Sequence, residues 1–315
     1  MEIHQLAYDL NMIDVSPEIP GWEEFIGSYI FGRDQLALID VGPRSTAGTL
    51  IDGIKSLHID PKRFRYILLT HIHIDHAGAI GELLEFLPKA KVVVHPKGAS
   101  HLTNTGKLWE GSLQTLGDLA EKYGRPQNIP AERIIPAEDG LLIRLGEKIG
   151  LEVIYTPGHA AHHMSFLEPQ SGVLFAGEAG GVYTSKADLL RPTTPSPFNL
   201  EQTMASIDKL LQRNPSTIFY GHFGHGGDAS GQLWRHREQL SLWLRVIGRA
   251  HQAGGDREAI FSELLYRDVT LEGLKELSED QYLRARYFIN NSINGFLGYV
   301  EKLRAKNNGG PSCSI

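Results

Sequence analysis

The sequence predicts an α+β fold in which buried β-sheets are flanked by helices. Two apolar runs, Tyr66–Leu69 and Ile218–Tyr220, read as strands covered on both faces. Each half of the chain alternates such strands with helical stretches. At 315 residues and 41% hydrophobic content, the chain can bury one large domain, or one domain with an appendage.

Taken in order, Phe25–Phe31 and Leu36–Ile39 are β-compatible runs, and the turn chemistry of Gly32-Arg33-Asp34 between them predicts a hairpin. Thr46–Leu57 has helical periodicity, with Leu50, Ile54 and Leu57 on one face. The strand Tyr66–Thr70 runs into a histidine cluster. A helix over Ala77–Phe86 and a strand over Lys91–His95 complete a βαβ-like unit. Lys97–Gly124 reads as mostly helical and polar, with Trp109 inside it.

In the second half, a strand over Leu151–Tyr155 breaks at Thr156-Pro157-Gly158-His159. Met164–Leu167 and Val173–Ala176 form a hairpin around Pro169-Gln170-Ser171-Gly172. A helix over Glu201–Leu211 precedes the strand Thr217–Tyr220, which stops at Gly221-His222. From Gln232 to about Lys306 the pattern is helical, and Tyr282, Phe288, Ile289 and Ile293 mark an apolar face. The expected organisation is a main domain over 1–231, a helical extension over 232–306 and a flexible tail over 307–315.

Composition excludes several function classes. A net charge of −6 argues weakly against a nucleic-acid partner, because phosphate binding needs a positive field. The single cysteine, Cys313, rules out an internal disulfide and a cysteine-rich metal site. No apolar run approaches the roughly 20 residues that span a bilayer. Met1-Glu2-Ile3-His4-Gln5 lacks the features of a signal peptide, so a cytoplasmic location is expected.

The strongest chemical signal is Thr70-His71-Ile72-His73-Ile74-Asp75-His76-Ala77-Gly78. Three imidazoles and a carboxylate fall within six positions. After a strand, side-chain alternation lets His71 and His73 point to one side, while Asp75 and His76 turn toward a second point from the mouth of the next helix. Imidazole and carboxylate suit borderline divalent cations, zinc above all, and such groups are costly to bury without a ligand.

This His-x-His-x-Asp-His segment resembles the signature of the metallo-β-lactamase superfamily, and the resemblance runs from about Ile26 to about Gly226. Supporting motifs follow in the family's order: Leu38-Ile39-Asp40-Val41-Gly42, Thr156-Pro157-Gly158-His159, Phe175-Ala176-Gly177-Glu178 and Tyr220-Gly221-His222-Phe223-Gly224. The resemblance implies a four-layer αβ/βα sandwich with metals at one edge. It implies one metal held by His71, His73 and His159, a second held by Asp75, His76 and His222, and a bridge by Glu178. Asp40 would orient a ligand imidazole from behind. Glu178 departs from the family's Asp by one methylene, which leaves open whether it bridges, binds one metal only or leaves the second site weak. His225 competes with His222 as a ligand. His162 and His163 read as loop histidines shaping the pocket, and His95 as a surface histidine.

The implied function is a metal-dependent hydrolase using a metal-activated hydroxide on an ester-like bond: a thioester, lactone, β-lactam or phosphodiester. Asp75 is the expected catalytic residue, exchanging protons with the attacking water and the leaving group. The implied cofactors are two divalent ions, Zn2+ first, with iron or manganese as alternatives. The helical extension is similar to that of glyoxalase II-like hydrolases, where it shapes the substrate pocket. Trp109, Tyr183 and Arg191 are pocket candidates, and Arg191 suits an anionic group. The run from Gly181-Val182-Tyr183 to Phe198 resembles a subgroup of archaeal and bacterial members without an assigned substrate. The partner expected is a small molecule, with no nucleic acid and no membrane, and a homodimer is compatible with the sequence. The competing reading is a persulfide dioxygenase-like oxidoreductase, which uses one iron on two histidines and an aspartate. A nuclease is disfavoured, because only about 40 residues separate Glu178 from His222, too few for an inserted domain. A binding module that has lost its metals is disfavoured by the intact ligand set.

Overall fold

Along the strands, successive apolar residues alternate between two destinations, and this alternation sets two sheets face to face. The computed structural model describes residues 3–7 and 9–307. The first sheet takes β1 (Ile3–Ala7), β2 (Leu10–Asp14), β3 (Gly27–Gly32), β4 (Leu36–Ile39), β5 (Phe64–Leu68), β6 (Lys91–Val94) and β7 (Ile134–Pro136) in that spatial order. β1 to β4 pair antiparallel; β4 to β7 pair parallel. The parallel steps need crossovers. These run through α1 (Ala47–Ser56), α2 (Ile74–Ala77), α3 (Ile80–Phe86), α4 (Pro96–Thr103), α5 (Gly106–Leu116) and α6 (Asp118–Tyr123).

The second sheet contains β8 (Leu142–Arg144), β9 (Gly150–Tyr155), β10 (Met164–Glu168) and β11 (Val173–Gly177). A small hairpin, β12 (Val182–Thr184) and β13 (Leu189–Arg191), stands apart from both sheets. After α7 (Leu200–Leu211), the chain adds β14 (Thr217–Tyr220), parallel to β11, and β15 (His225–Gly227). The helices α8 (Ala229–Gln252), α9 (Arg257–Arg267) and α10 (Glu279–Asn307) follow.

Between the sheets, Ala37, Ile39, Leu68 and Val93 meet Val153, Phe166, Phe175 and Phe219 in one core. Their sequence neighbours point the other way. Leu36, Leu38, Ile67 and Val92 pack under Leu50, Ile54, Ile80 and Leu83 of the first helical layer. Ile154, Leu174 and Ile218 pack under Ile207, Leu240, Trp243, Ile289 and Ile293 of the second. The result is helix, sheet, sheet, helix, the four-layer arrangement implied by the motifs. The helices α8 to α10 share one continuous core with the second sheet.

Three details depart from the sequence reading. The helix expected over Ala77–Phe86 is split into α2 and α3, with Gly78 and Ala79 between them. The His76 carbonyl accepts from Val41 N, and Ala79 N donates to Gly42 O, so the β4 loop takes up this stretch of backbone. A Cβ on Gly78 would lie 2.7 Å from Arg44 N, which explains the glycine. β1, β2, β7, β8, β12, β13 and β15 were not legible as strands, being segments of only three to five residues, too short to show a clear alternation. His95 is buried, not on the surface: its Nδ1 accepts from Lys97 N at the start of α4, and its ring rests on Tyr155.

Candidate metal centre and pocket

The centre forms where β4, β5, β9, β11 and β14 end at one edge of the sandwich. Asp40, just past β4, adopts a left-handed backbone with φ +52°. This conformation is uncommon outside glycine but tolerated by Asp. It aims the carboxylate at the loop after β5. Oδ1 accepts from Thr70 N at 2.8 Å, and Oδ2 accepts from the Thr70 hydroxyl at 2.8 Å and from His76 Nδ1 at 3.0 Å.

These bonds fix two tautomers. His76 spends its Nδ1 proton on Asp40, so Nε2 carries a lone pair. Thr70 spends its hydroxyl proton on Asp40, so His71 Nδ1, 3.0 Å away, donates to Thr70 Oγ1. The His71 Nε2 is therefore also a lone pair. Both Nε2 atoms are buried without a hydrogen-bond partner. Orphaned acceptors of this kind are rare in protein interiors, and a cation would satisfy both.

The other histidines follow the same logic. His159 Nδ1 faces Thr193 O at 3.2 Å, and His222 Nδ1 faces Phe25 O at 3.3 Å, so each ring donates to a carbonyl and turns Nε2 inward. His159 Nε2 then lies 2.6 Å from Glu178 Oε2 and 2.9 Å from His73 Nδ1. Two acceptors 2.6 Å apart require a cation between them, a proton or a metal.

The ligand atoms separate into two groups. His71, His73, His159 and Glu178 converge within 4.8 Å of one another, and so do Asp75, His76 and His222. Glu178 reaches both. Its Oε2 sits against His71 and His159, and its Oε1 lies 3.0 Å from His222 Nε2. Just before Glu178, Gly177 takes a left-handed backbone with φ +58°, and the pairing of β11 with β14 shifts register there. The structure brings His222 to the centre and leaves His225 on β15 against Phe219.

Charge is balanced within the buried cluster. Burial and the surrounding imidazoles hold His71 and His73 well below the ordinary histidine value, as metal ligation requires. Burial would also lower His76, but Asp75 and Asp40 outweigh it and raise the ring to about 9, so without a metal a proton occupies Nε2, and a cation bound there would displace it and free the lone pair. Burial would push the Glu178 carboxyl up; His159 and His222 instead hold it well below the usual carboxylate range.

Three supporting residues escaped the sequence reading. Thr70 links Asp40 to His71. The Thr193 hydroxyl donates to Glu178 Oε1 at 2.9 Å. His163, read as a pocket-shaping loop residue, is fully buried behind the centre, and its Nε2 accepts from Glu178 N at 3.0 Å. A relay continues from His163 Nδ1 to Thr156 Oγ1, Ser165 Oγ and Ala176 O. The adjacency of His163 to the Pro-Gly-His turn was the available signal, but its direction of burial was not in the sequence.

The centre floors a cavity of about 380 Å³. Its walls come from α5 (Lys107, Leu108), from α10 (Phe288, Asn291), from Arg191 at the end of β13 and from Thr193 just after it. His162 and His101 also line it. Two pocket candidates lie elsewhere. Trp109 packs at the edge of the first helical core, because the opposite face of α5 meets the cavity. Tyr183 packs against Tyr220 with the rings tilted by 41°, and its hydroxyl donates to Asp188 at 3.0 Å. Among the described residues, no helix is long and apolar enough to cross a membrane.

Comparison with known proteins shows the family and the fold. Residues 25–222 match the family model described as metallo-beta-lactamase superfamily. The metallo-beta-lactamase fold-containing protein ST1585 of Sulfurisphaera tokodaii is 34% identical over 67% of this chain and 78% of its own length. The crystal structure of that archaeal protein superposes with a TM-score of 0.70 at 26% identity, covering 92% of this chain and 99% of the other. The hydroxyacylglutathione hydrolase GloC of Haemophilus influenzae is 28% identical over 60% of this chain and 79% of its own.

Proposed function

The chain belongs to the metallo-beta-lactamase superfamily, and from that premise we propose that it is a dinuclear metal-dependent hydrolase of small esters, thioesters or lactones. The observation that carries this reading is Glu178, whose two carboxylate oxygens face two separate ligand groups on the floor of one cavity. His71, His73, His159 and Glu178 would hold one divalent cation and Asp75, His76 and His222 a second, zinc first among the candidates, and these would supply a water of lowered pKa and a Lewis acid for the substrate's oxygen.

This chain's residues do the rest. Asp75 combines membership of the second ligand group with a place in the cavity wall. Its carboxylate takes a proton from the attacking water and returns it to the leaving group. The water oxygen bonds to the acyl carbon, the bond from that carbon to the leaving oxygen or sulfur breaks, and the proton ends on the leaving atom. Asp40, Thr70 and Thr193 hold the ligands in place, which preorganises the centre before substrate arrives. The activity named for GloC, hydrolysis of an acyl-glutathione, is of this class and supports the reading.

The test is metal analysis followed by a screen of ester, thioester, lactone and phosphodiester substrates. The expected result is two divalent ions per chain and turnover of an acyl compound. A single iron with oxygen uptake on glutathione persulfide would replace this reading with the dioxygenase alternative.

A further inference from the structure

The cavity contains a charge that the proposed reaction does not use. Arg191, at the end of β13, is only 4% exposed, yet its side chain lines the cavity. Its guanidinium packs on two aromatic rings, with Cζ 5.2 Å from the Phe288 centroid and 5.9 Å from that of Phe25. Among the described residues, it has no ion-pair or hydrogen-bond partner. Ring contacts of this kind attract the cation but leave its in-plane N–H groups unbonded.

A buried guanidinium without a counter-charge is costly. Burial lowers its pKa to about 9, which still leaves it charged at neutral pH. Glu178, the acid that acts on it, is committed to His159, His222 and the Thr193 hydroxyl. The balancing anion must therefore enter through the cavity. The planar guanidinium suits a carboxylate bidentately, and the buried Arg284 guanidinium over the same Phe25 ring adds a second positive charge nearby that also favours an anion.

We propose that Arg191 is the specificity-determining residue of the pocket and that the substrate class is a small acyl compound carrying a free carboxylate close to its scissile carbonyl. The proposal rests on the hydrolase reading. Position supports the short spacing. The Phe25 ring that underlies Arg191 also stacks on His222, with centroids 4.5 Å apart, so one aromatic ring separates the anion subsite from the second ligand group. The remaining wall is mixed: Ile72, Leu108 and Leu116 offer apolar contact to the rest of the substrate, and Ser112, Thr115 and Asn291 offer polar groups beside them. A cavity of about 380 Å³ lies in the size range that encloses a whole small molecule.

The experiment compares glutaryl and pentanoyl thioesters of one thiol, which differ in the terminal carboxylate, using metal-loaded parent and Arg191→Met proteins. The parent is expected to favour the glutaryl compound in kcat/KM by about 10- to 100-fold, the range of a charge-assisted bidentate contact. That ratio should collapse in Arg191→Met, chiefly through KM. An equal ratio in the two proteins overturns the proposal, as does a parent with no preference, and the latter needs no variant. If Arg191→Met does not fold, Arg191→Gln carries the same comparison. If the parent cleaves neither thioester, the hydrolase reading fails separately. Calorimetric binding of monomethyl glutarate against dimethyl glutarate then decides the role of Arg191, with equal affinity for the two overturning it.

Discussion

The backbone N–H of Glu178 donates to Nε2 of His163 at 3.0 Å, so the residue that faces both ligand groups is held from behind by a histidine that faces neither. Burial lowers the His163 pKa to about 3, so the ring stays neutral and can accept this bond. Replacing His163 by Ala leaves the Glu178 N–H and the Thr156 hydroxyl without it. Each orphaned group should cost about 1–3 kcal/mol. Denaturant unfolding should show the loss, and a chelator should strip metal from His163→Ala faster than from the parent. Parent-like metal retention would mean that His163 supports only the fold.

Asp40 is the second support. In Asp40→Asn, an amide cannot accept from His76 Nδ1, Thr70 N and the Thr70 hydroxyl together, as the carboxylate does. Loss of such an orienting partner typically weakens metal affinity about 10- to 100-fold. Competition with a chromogenic chelator should find the larger loss in the group containing His76. An unchanged affinity would show that the tautomer of His76 is set elsewhere.

How much of this was legible in the sequence differs by level. The ligands were readable because His71, His73, Asp75 and His76 are adjacent in sequence and chemically distinctive. The two sheets were readable from apolar runs such as Tyr66–Leu69. The supports were not. Thr193 lies 34 residues from His159 and meets it only through the fold. Trp109 and Tyr183 were named as pocket candidates, but helix phase sends Trp109 to the first helical core, and hairpin packing sets Tyr183 against Tyr220 and Asp188. Arg191 reached the cavity because β13 ends at its rim.

Gly295 sets how closely α10 approaches the pocket wall. A Cβ there would fall 1.8 Å from Thr194 O, far inside contact distance. At the same contact, Thr194 N donates to Ser292 Oγ at 3.3 Å and Ser292 Oγ donates to Pro192 O at 3.0 Å. Gly295→Ala should push the helix outward, disturb the neighbouring Thr193 and destabilise the protein by about 1–3 kcal/mol, the usual cost of overpacking. Thermal unfolding together with KM measures both effects. A variant matching the parent in both would show that the helix is free to shift.

Removing α8 to α10 by truncation after Asp228 should expose Leu174, Ile218 and their neighbours on the second sheet. Leu240, Trp243, Ile289, Ile293 and Phe296 are all fully buried, and each contributes about 1.5–3 kcal/mol by its burial. The truncated chain should therefore aggregate. Light scattering and size-exclusion chromatography test this. A monodisperse, cooperatively folded product would make the helices an independent unit.

The most direct test of the central claim is a calorimetric titration of Zn2+ into the metal-free protein and into Glu178→Ala. The account predicts two ions per parent chain. It predicts that removing the carboxylate that faces both groups weakens both steps, with the second lost at micromolar metal. A parent that takes up no metal, or a Glu178→Ala protein that binds two ions as tightly as the parent, would contradict it.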